Sequence, residues 1–278
     1  MKVNLAKSSG FCFGVQRALN IALQQASKGN DIYMLGDIVH NENVVKLINK
    51  SGIKKTSRLN QRKGKTLLIR AHGASLATFN KARKLGYNII DATCPMVKEI
   101  HKIVLEAEEK GFNIIIIGGK KHDEVRGIAG QLKKKTFIID GKDKMPISQI
   151  KKIKKVAIVV QSTQNIEKVI AILKILRKYI PEVRFYNTIC KPTRIKQHEI
   201  RCLPLENDAM VIIGSKKSAN TKRLYEISKS LNEHTFWVNS KNELKSKYFK
   251  GLNSVGVTAG ASTPKESIQE ITGYLSTI

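Results

Sequence analysis

The chain is poor in acid. Its 278 residues carry 50 lysines and arginines against 22 aspartates and glutamates, a formal net charge of +28. Such a field draws polyanions, acidic membrane or phosphorylated small molecules. Aromatics are scarce too, at 6%, and no RNA-recognition or helix-turn-helix signature accompanies the charge, so no nucleic-acid partner is expected. Much of the lysine lies in runs such as Lys133-Lys134-Lys135, which usually form solvated faces. No apolar run approaches the ~18 residues of a membrane span. The opening stretch lacks the apolar core of a secretion signal. These absences make a cytoplasmic protein with no membrane partner the expectation. No Pro- or Ser-rich linker divides the chain, which predicts a compact body. Only four cysteines occur, at 12, 94, 190 and 202. No C-x-x-C pair exists, so zinc-ribbon and thioredoxin readings lack support, and thiols rather than disulfides are expected. No G-x-G-x-x-G appears. Gly64-Lys65-Thr66 fails as a phosphate loop, because Leu59 stands where the opening glycine should be and a strand pattern follows.

What is present is a repeat. Cys12 precedes an amphipathic segment, Cys94 precedes Pro95 and a face of Val97, Ile100, Val104 and Ala107, and Cys190 precedes Pro192 and another helical pattern. All three cysteines are therefore predicted at helix starts, where the helix dipole favours a thiolate or an anionic sulfur ligand. They divide the chain into near-equal parts, 82 and 96 residues apart. Each part holds two apolar strands ending in polar residues. Gly36 to His40, Gly118 to His122 and Gly214 to Ser218 share one spacing, with Glu42, Glu124 and Asn220 two residues further on. The second strand of each part ends near His72, near Ser162 and Thr163, and near Ser262 and Thr263. Strands alternating with helical segments predict α/β architecture with parallel sheets. The expected domains are 1–94, 95–190 and 191–278, and three such units could close around one centre.

The chemistry this pattern allows is narrower than its charge. Three convergent thiolates suit a soft metal or an iron–sulfur cluster, although widely spaced cysteines are also ordinary core residues. Cys202 has no counterpart in the repeat and reads as a small hydrophobe. His40, His72 and His122, in equivalent loops, point to one site that could hold phosphate oxygens with Lys120 and Lys121. Glu124 is the best acid–base candidate, since a carboxyl in a closed site has its pKa raised and can deliver a proton. Ser162, Thr163, Ser218, Asn220, Ser262 and Thr263 supply neutral donors of the kind that position a diphosphate or a substrate hydroxyl. A zinc hydrolase using His122 and Glu124 is an alternative, as is a nucleic-acid-binding protein carried by the charge.

Together these segments resemble the IspH (LytB) family of 4-hydroxy-3-methylbut-2-enyl diphosphate reductases. The resemblance rests on Gly10–Val15, Asp37–Asn41, Arg70–Gly73, Asp91–Pro95, Lys121–Val125, Asn187–Cys190, Gly214–Asn220 and Thr258–Pro264, in the family's order over essentially the whole chain. It implies three α/β domains in a pseudo-threefold trefoil around a [4Fe–4S] cluster, with Cys12, Cys94 and Cys190 as ligands. It implies substrate binding by His40, His72, His122, Ser218, Asn220 and Ser262, chiefly through a diphosphate. Glu124 matches the proton donor, and Ser162 the threonine near the substrate hydroxyl. The implied reaction is reductive dehydroxylation to isopentenyl and dimethylallyl diphosphate, with electrons from a ferredoxin or flavodoxin. Ser162 departs from the family's threonine but keeps the hydroxyl. Ala219 stands where a second serine is usual, and Pro192 where alanine is common.

Overall fold

The computed structural model describes residues 1–29, 31–141 and 145–278. In chain order the elements are β1 (Lys2–Leu5), α1 (Phe13–Ala26), β2 (Ile32–Leu35), α2 (Glu42–Lys50), β3 (Lys54–Thr56), β4 (Thr66–Ile69), α3 (Leu76–Lys84), β5 (Asn88–Asp91), α4 (Pro95–Glu109), β6 (Asn113–Ile117) and α5 (Asp123–Ala129). Then follow β7 (Phe137–Ile139), α6 (Ile147–Ile150), β8 (Lys155–Val160), α7 (Ile166–Leu176), β9 (Glu182–Phe185), α8 (Lys191–Cys202), β10 (Ala209–Ile213), α9 (Ala219–Leu231), β11 (Thr235–Val238), β12 (Ser254–Ala259) and α10 (Lys265–Thr277). Among the described residues they build three four-stranded sheets, ordered β3-β2-β4-β5, β7-β6-β8-β9 and β11-β10-β12-β1. Every pairing is parallel, so helical crossovers must cover the faces.

The three sheets have the same strand order, with one exchange. Where the third would need a strand following β12, the N-terminal β1 fills the place, pairing Lys2 with Ser254 through Leu5 with Val257. Division at the cysteines therefore separates β1 from the sheet it completes. We retain the three thirds as proposed modules and assign β1 to the last by its pairing. By packing, the chain forms two compact units. One comprises Arg17–Ile38 and Asn49–Cys190 and holds the β2–β5 and β6–β9 sheets. The other comprises Met1–Gln16, Val39–Ile48 and Lys191–Ile278 and holds the remaining sheet.

The apolar runs work as their period dictates. In β6, Ile115 and Ile117 face a core with α7 residues Val169, Ile172, Leu173 and Leu176. Ile114 and Ile116 face the opposite core with Ile100 and Val104 of α4 and Val125 and Ile128 of α5. Each fully buried isoleucine contributes roughly 1.5–3 kcal/mol, so this central strand anchors whatever its carboxyl end carries. In the other unit Val211, Val257 and Ile271 share one core, and Met210, Ile212, Leu224 and Ile200 share another. Within the larger unit its two sheet modules meet at α5. A Cβ on Gly130 would lie 2.3 Å from that of Ser75, Leu76 N–H donates to Gly130 O at 3.1 Å, and Gln131 Nε2 donates to Ala74 O at 2.8 Å. That close approach brings the loop after β4 against the carboxyl end of α5.

Candidate active site

The sequence repeat is a repeat of hydrogen bonds. Each inner strand that ends in glycine is tied to its outer neighbour. Gly36 N–H donates to Thr56 O at 3.1 Å, Gly118 N–H to Ile139 O at 2.9 Å and Gly214 N–H to Val238 O at 2.9 Å. The other inner strand of each sheet holds a cysteine. Two residues past β4, Ala71 O accepts from Cys94 N–H at 3.0 Å; two past β8, Ser162 O accepts from Cys190 N–H at 3.1 Å; two past β12, Ala261 O accepts from Cys12 N–H at 3.1 Å. Cys94 is the N-cap of α4, with Pro95 in its first turn. Cys12 and Cys190 directly precede α1 and α8. All four cysteines are thiols, the first three partly buried and Cys202 exposed. Three half-covered thiols with the same backbone tether, each at a positive helix end, are a donor set that fits an iron–sulfur cluster.

In the larger unit the chemistry gathers around α5. His122 is its N-cap, and its Nδ1 accepts from Glu124 N–H at 3.2 Å. Accepting there leaves the imidazole proton to Nε2. Glu124 follows in the first turn, 2% exposed. Its Oε1 accepts from Ser162 N–H at 2.6 Å and its Oε2 from Ser162 Oγ at 2.7 Å. Burial raises the pKa of this carboxyl above its ordinary value, and the two Ser162 hydrogen bonds pull against that rise. His72 meets His122 edge to face with ring centroids 5.4 Å apart, and these two offer ligand nitrogens within 4.8 Å of each other. Thr163 lies beside Ser162, its Oγ1 accepting from Gln161 Nε2 at 3.0 Å, while Gln161 Oε1 accepts from Gly119 N–H at 2.9 Å. Arg70, one residue past β4, pairs with Asp123 at 2.9 Å.

In the smaller unit the equivalents are polar but differently arranged. Ser218 caps α9, its Oγ accepting from Thr221 N–H at 3.3 Å. Asn220, in the first turn, is 5% exposed, and its Nδ2 has no hydrogen-bond acceptor among the described residues. A buried amide donor without an acceptor fits an anionic ligand such as a diphosphate. Ser262 Oγ donates to His40 O at 3.4 Å. The residue that caps α2 is Asn41, accepting from Asn43 N–H at 3.0 Å and Val44 N–H at 3.2 Å. Near Cys12, Lys196 is 2% exposed. Burial pulls its pKa down to about 8, and the charges of Cys12 and Glu199 oppose that fall.

Comparison with known proteins decides the kinship. A family model described as LytB protein matches residues 3–276. The chain belongs to the LytB family. A 4-hydroxy-3-methylbut-2-enyl diphosphate reductase of Geotalea uraniireducens is 36% identical over 98% of this chain and 95% of its own. The enzyme of the same name from Aquifex aeolicus is 36% identical over 99% and 96%. Among solved structures, the (E)-4-hydroxy-3-methyl-but-2-enyl diphosphate reductase described as the terminal enzyme of the non-mevalonate pathway superposes with a TM-score of 0.75, 35% identity and full coverage of both chains. The E-1-hydroxy-2-methyl-but-2-enyl-4-diphosphate reductase of Plasmodium falciparum gives 0.91 at 29% identity, over 99% of this chain and 88% of its own. The LytB fold thus accounts for the three parallel sheets. No helix among the described residues is long and apolar enough to cross a membrane.

Two site neighbours escaped the sequence reading of this LytB chain. Gln161 directly follows β8 and links Gly119 to Thr163. Lys196 belongs to no local motif. The available signal was its helix face: Thr193, Lys196, Gln197 and Ile200 are the buried residues of α8, a core stripe that a lysine enters only for a specific partner.

Proposed function

We propose that this LytB-family chain is a 4-hydroxy-3-methylbut-2-enyl diphosphate reductase. It would convert its allylic diphosphate to isopentenyl and dimethylallyl diphosphate, the last step of the methylerythritol phosphate route to isoprenoids. The observation that carries the reading is the recurrence of a cysteine at a helix start, held by its N–H on the same carbonyl of three like sheets. Cys12, Cys94 and Cys190 would hold a [4Fe–4S] cluster. When bound, that cluster would supply a Lewis-acidic iron lacking a protein thiolate and a path for single electrons.

The chain's own residues would do the rest. His40, His72, His122, Ser218, Asn220 and Ser262 bind the substrate, chiefly its diphosphate. Asn220 Nδ2 contributes a donor whose desolvation is otherwise uncompensated. Ser162 and Thr163 orient the allylic hydroxyl. Glu124, its pKa raised by burial, carries a proton at neutral pH more readily than an exposed carboxyl and delivers it from Oε. Two electrons and two protons enter, the C–O bond breaks, water leaves and a C–H bond forms. Ser162, holding both Glu124 oxygens, fixes the direction of that delivery. A ferredoxin or flavodoxin would donate the electrons, drawn with the anionic substrate by the +28 charge. The expected compartment is the cytoplasm.

The test is anaerobic purification followed by a visible spectrum, metal analysis and turnover with a chemical reductant. Iron with sulfide and reduction of the allylic diphosphate are expected. Zinc in place of iron, or an iron–sulfur protein inert toward this substrate, would overturn the proposal.

A further inference from the structure

The loop that leads into α9 is held by a residue outside it. It runs from Gly214, after β10, to the capping Ser218, and Asn220 follows in the first turn of the helix. Little within the loop favours one conformation. Gly214 has a φ of 142°, a region open to glycine, and Lys216 and Lys217 are adjacent like charges. Fixing such a backbone costs conformational entropy that contacts from elsewhere must offset.

Trp237, on the outer strand β11, supplies them. Its Nε1 donates to Gly214 O at 2.7 Å. Its own carbonyl accepts from Lys216 Nζ, and that ammonium lies 4.6 Å from the centroid of the indole, within cation–π range. The indole also meets Tyr225 of α9, with ring centroids 5.3 Å apart and planes inclined by 35°. One side chain thus touches the first residue of the loop, a lysine in its middle and the helix that the loop begins. The grip on Gly214 carries to the polar end of α9. A Cβ on Gly214 would lie 2.8 Å from Thr221 Oγ1, Thr221 is fully buried, and its N–H donates to Ser218 Oγ. A shift of Gly214 would therefore move the capping serine and the neighbouring Asn220 together.

The other two sheets place different residues here. The position before the outer-strand carbonyl that accepts from the glycine N–H is Lys55 in one and Ile138 in the other. Lys55 pairs with Asp37, next to Gly36, at 2.6 Å, while Ile138 packs on an apolar core. The chain's single tryptophan stands only beside the loop of Ser218 and Asn220. We propose that Trp237 is a positioning residue for the diphosphate, holding Ser218 and Asn220 where they can bind an anion by gripping Gly214 and Tyr225 at once. The inference rests on the diphosphate reading of those two residues.

Inorganic pyrophosphate is the probe, titrated into the holoenzyme by calorimetry. Trp237→Phe keeps a ring for Tyr225 and Lys216 and removes the Nε1 donor. It should bind pyrophosphate about fivefold more weakly than the parent, the equivalent of one net hydrogen bond. Trp237→Leu loses the ring as well and should bind about twentyfold more weakly. KM for the allylic diphosphate should rise by the same factors, with kcat little moved, because the diphosphate is held alike before and during reaction. Unchanged pyrophosphate affinity in Trp237→Phe and Trp237→Leu, even with a lower unfolding midpoint, would make Trp237 structural only and overturns the inference. So does a fall in kcat with KM unchanged. Should neither Trp237 variant fold, Tyr225→Leu removes the ring on α9 and leaves both Trp237 hydrogen bonds. It should weaken pyrophosphate about threefold, and an unchanged affinity overturns the inference. A parent chain that binds no pyrophosphate overturns the diphosphate reading itself. A parent that binds it no better than the variants overturns this inference alone.

Discussion

Glu42 and Glu124 stand at the same place in two parts of the molecule, six residues past a glycine that ends an inner strand, yet their surroundings are opposite. Glu124 follows an N-cap histidine, is buried, and has both oxygens on Ser162. Glu42 follows Asn41, which caps α2 one position later in the repeat than His122 caps α5. That shift of one residue sends its carboxylate elsewhere. It accepts from Ser215 Oγ at 3.0 Å and Asn239 Nδ2 at 3.4 Å, and lies 3.7 Å from Lys217 Nζ with its side chain 40% exposed. The partner differs as well. Two residues past β8 stands Ser162, with a hydroxyl and an N–H, while Ala71 and Ala261 occupy the matching places after β4 and β12. The repeated backbone delivers three cysteines alike, and the residues that break the repeat bury the carboxyl in one part and leave its counterpart half-exposed in another.

The largest expected effect lies in this pair of carboxylates. Glu124→Gln should keep its hydrogen-bond geometry and lower kcat by roughly 10²–10⁴-fold, the usual range for a lost general acid. Glu42→Gln should change kcat by less than about tenfold. Steady-state kinetics on both variants check this, and equal losses would erase the distinction. Next in size is Ser162→Ala, which leaves the N–H bond and removes the hydroxyl. The lost bond, about 1 kcal/mol, favoured the charged carboxylate. The Glu124 pKa should therefore rise further and the alkaline limb of the kcat–pH profile move upward, with Ser162→Thr restoring it.

A smaller effect is expected in stability. The folded-state pKa of Glu124 is raised, so the native chain binds more protons than the unfolded chain between the ordinary carboxylate value and the raised one. Stability should fall as pH rises through that window and level off above it. Chemical denaturation across pH should show this slope in the parent and lose it in Glu124→Gln. The least effect belongs to Ser215→Ala, which removes one hydrogen bond from half-exposed Glu42 and should cost about 1 kcal/mol or less, since Asn239 and Lys217 remain.

The inner strands were legible because short continuous apolar runs ending in polar residues or glycine have few other solutions. The cysteine-led helices were legible from their periodicity, and α4 buries Val97, Ile100, Val104 and Ala107 as expected. The outer strands were not. Lys54-Lys-Thr56 and Glu182-Val-Arg-Phe185 are short, polar edges whose pairing comes from neighbours rather than from their own pattern. Nor could local sequence show that β1 completes a sheet whose other strands begin about two hundred residues later. At the site, residue types and spacing pointed to Glu124 and Ser162. The bidentate contact between them depends on tertiary packing of α5 against the loop after β8. His101 is partly buried on α4, and that burial pulls its pKa down to about 4, against the opposing charge of Asp91, which no sequence pattern marks.

We propose that three like sheets each supply one thiol to a single cluster, and the most direct test is iron and sulfide content of the anaerobically purified chain and its four single Cys→Ser variants. About four irons and four sulfides per chain are expected for a [4Fe–4S] centre, lost or depleted in the variants of Cys12, Cys94 and Cys190 and unchanged in that of exposed Cys202. A parent chain without iron, or full iron retained after any one of the first three substitutions, would contradict it.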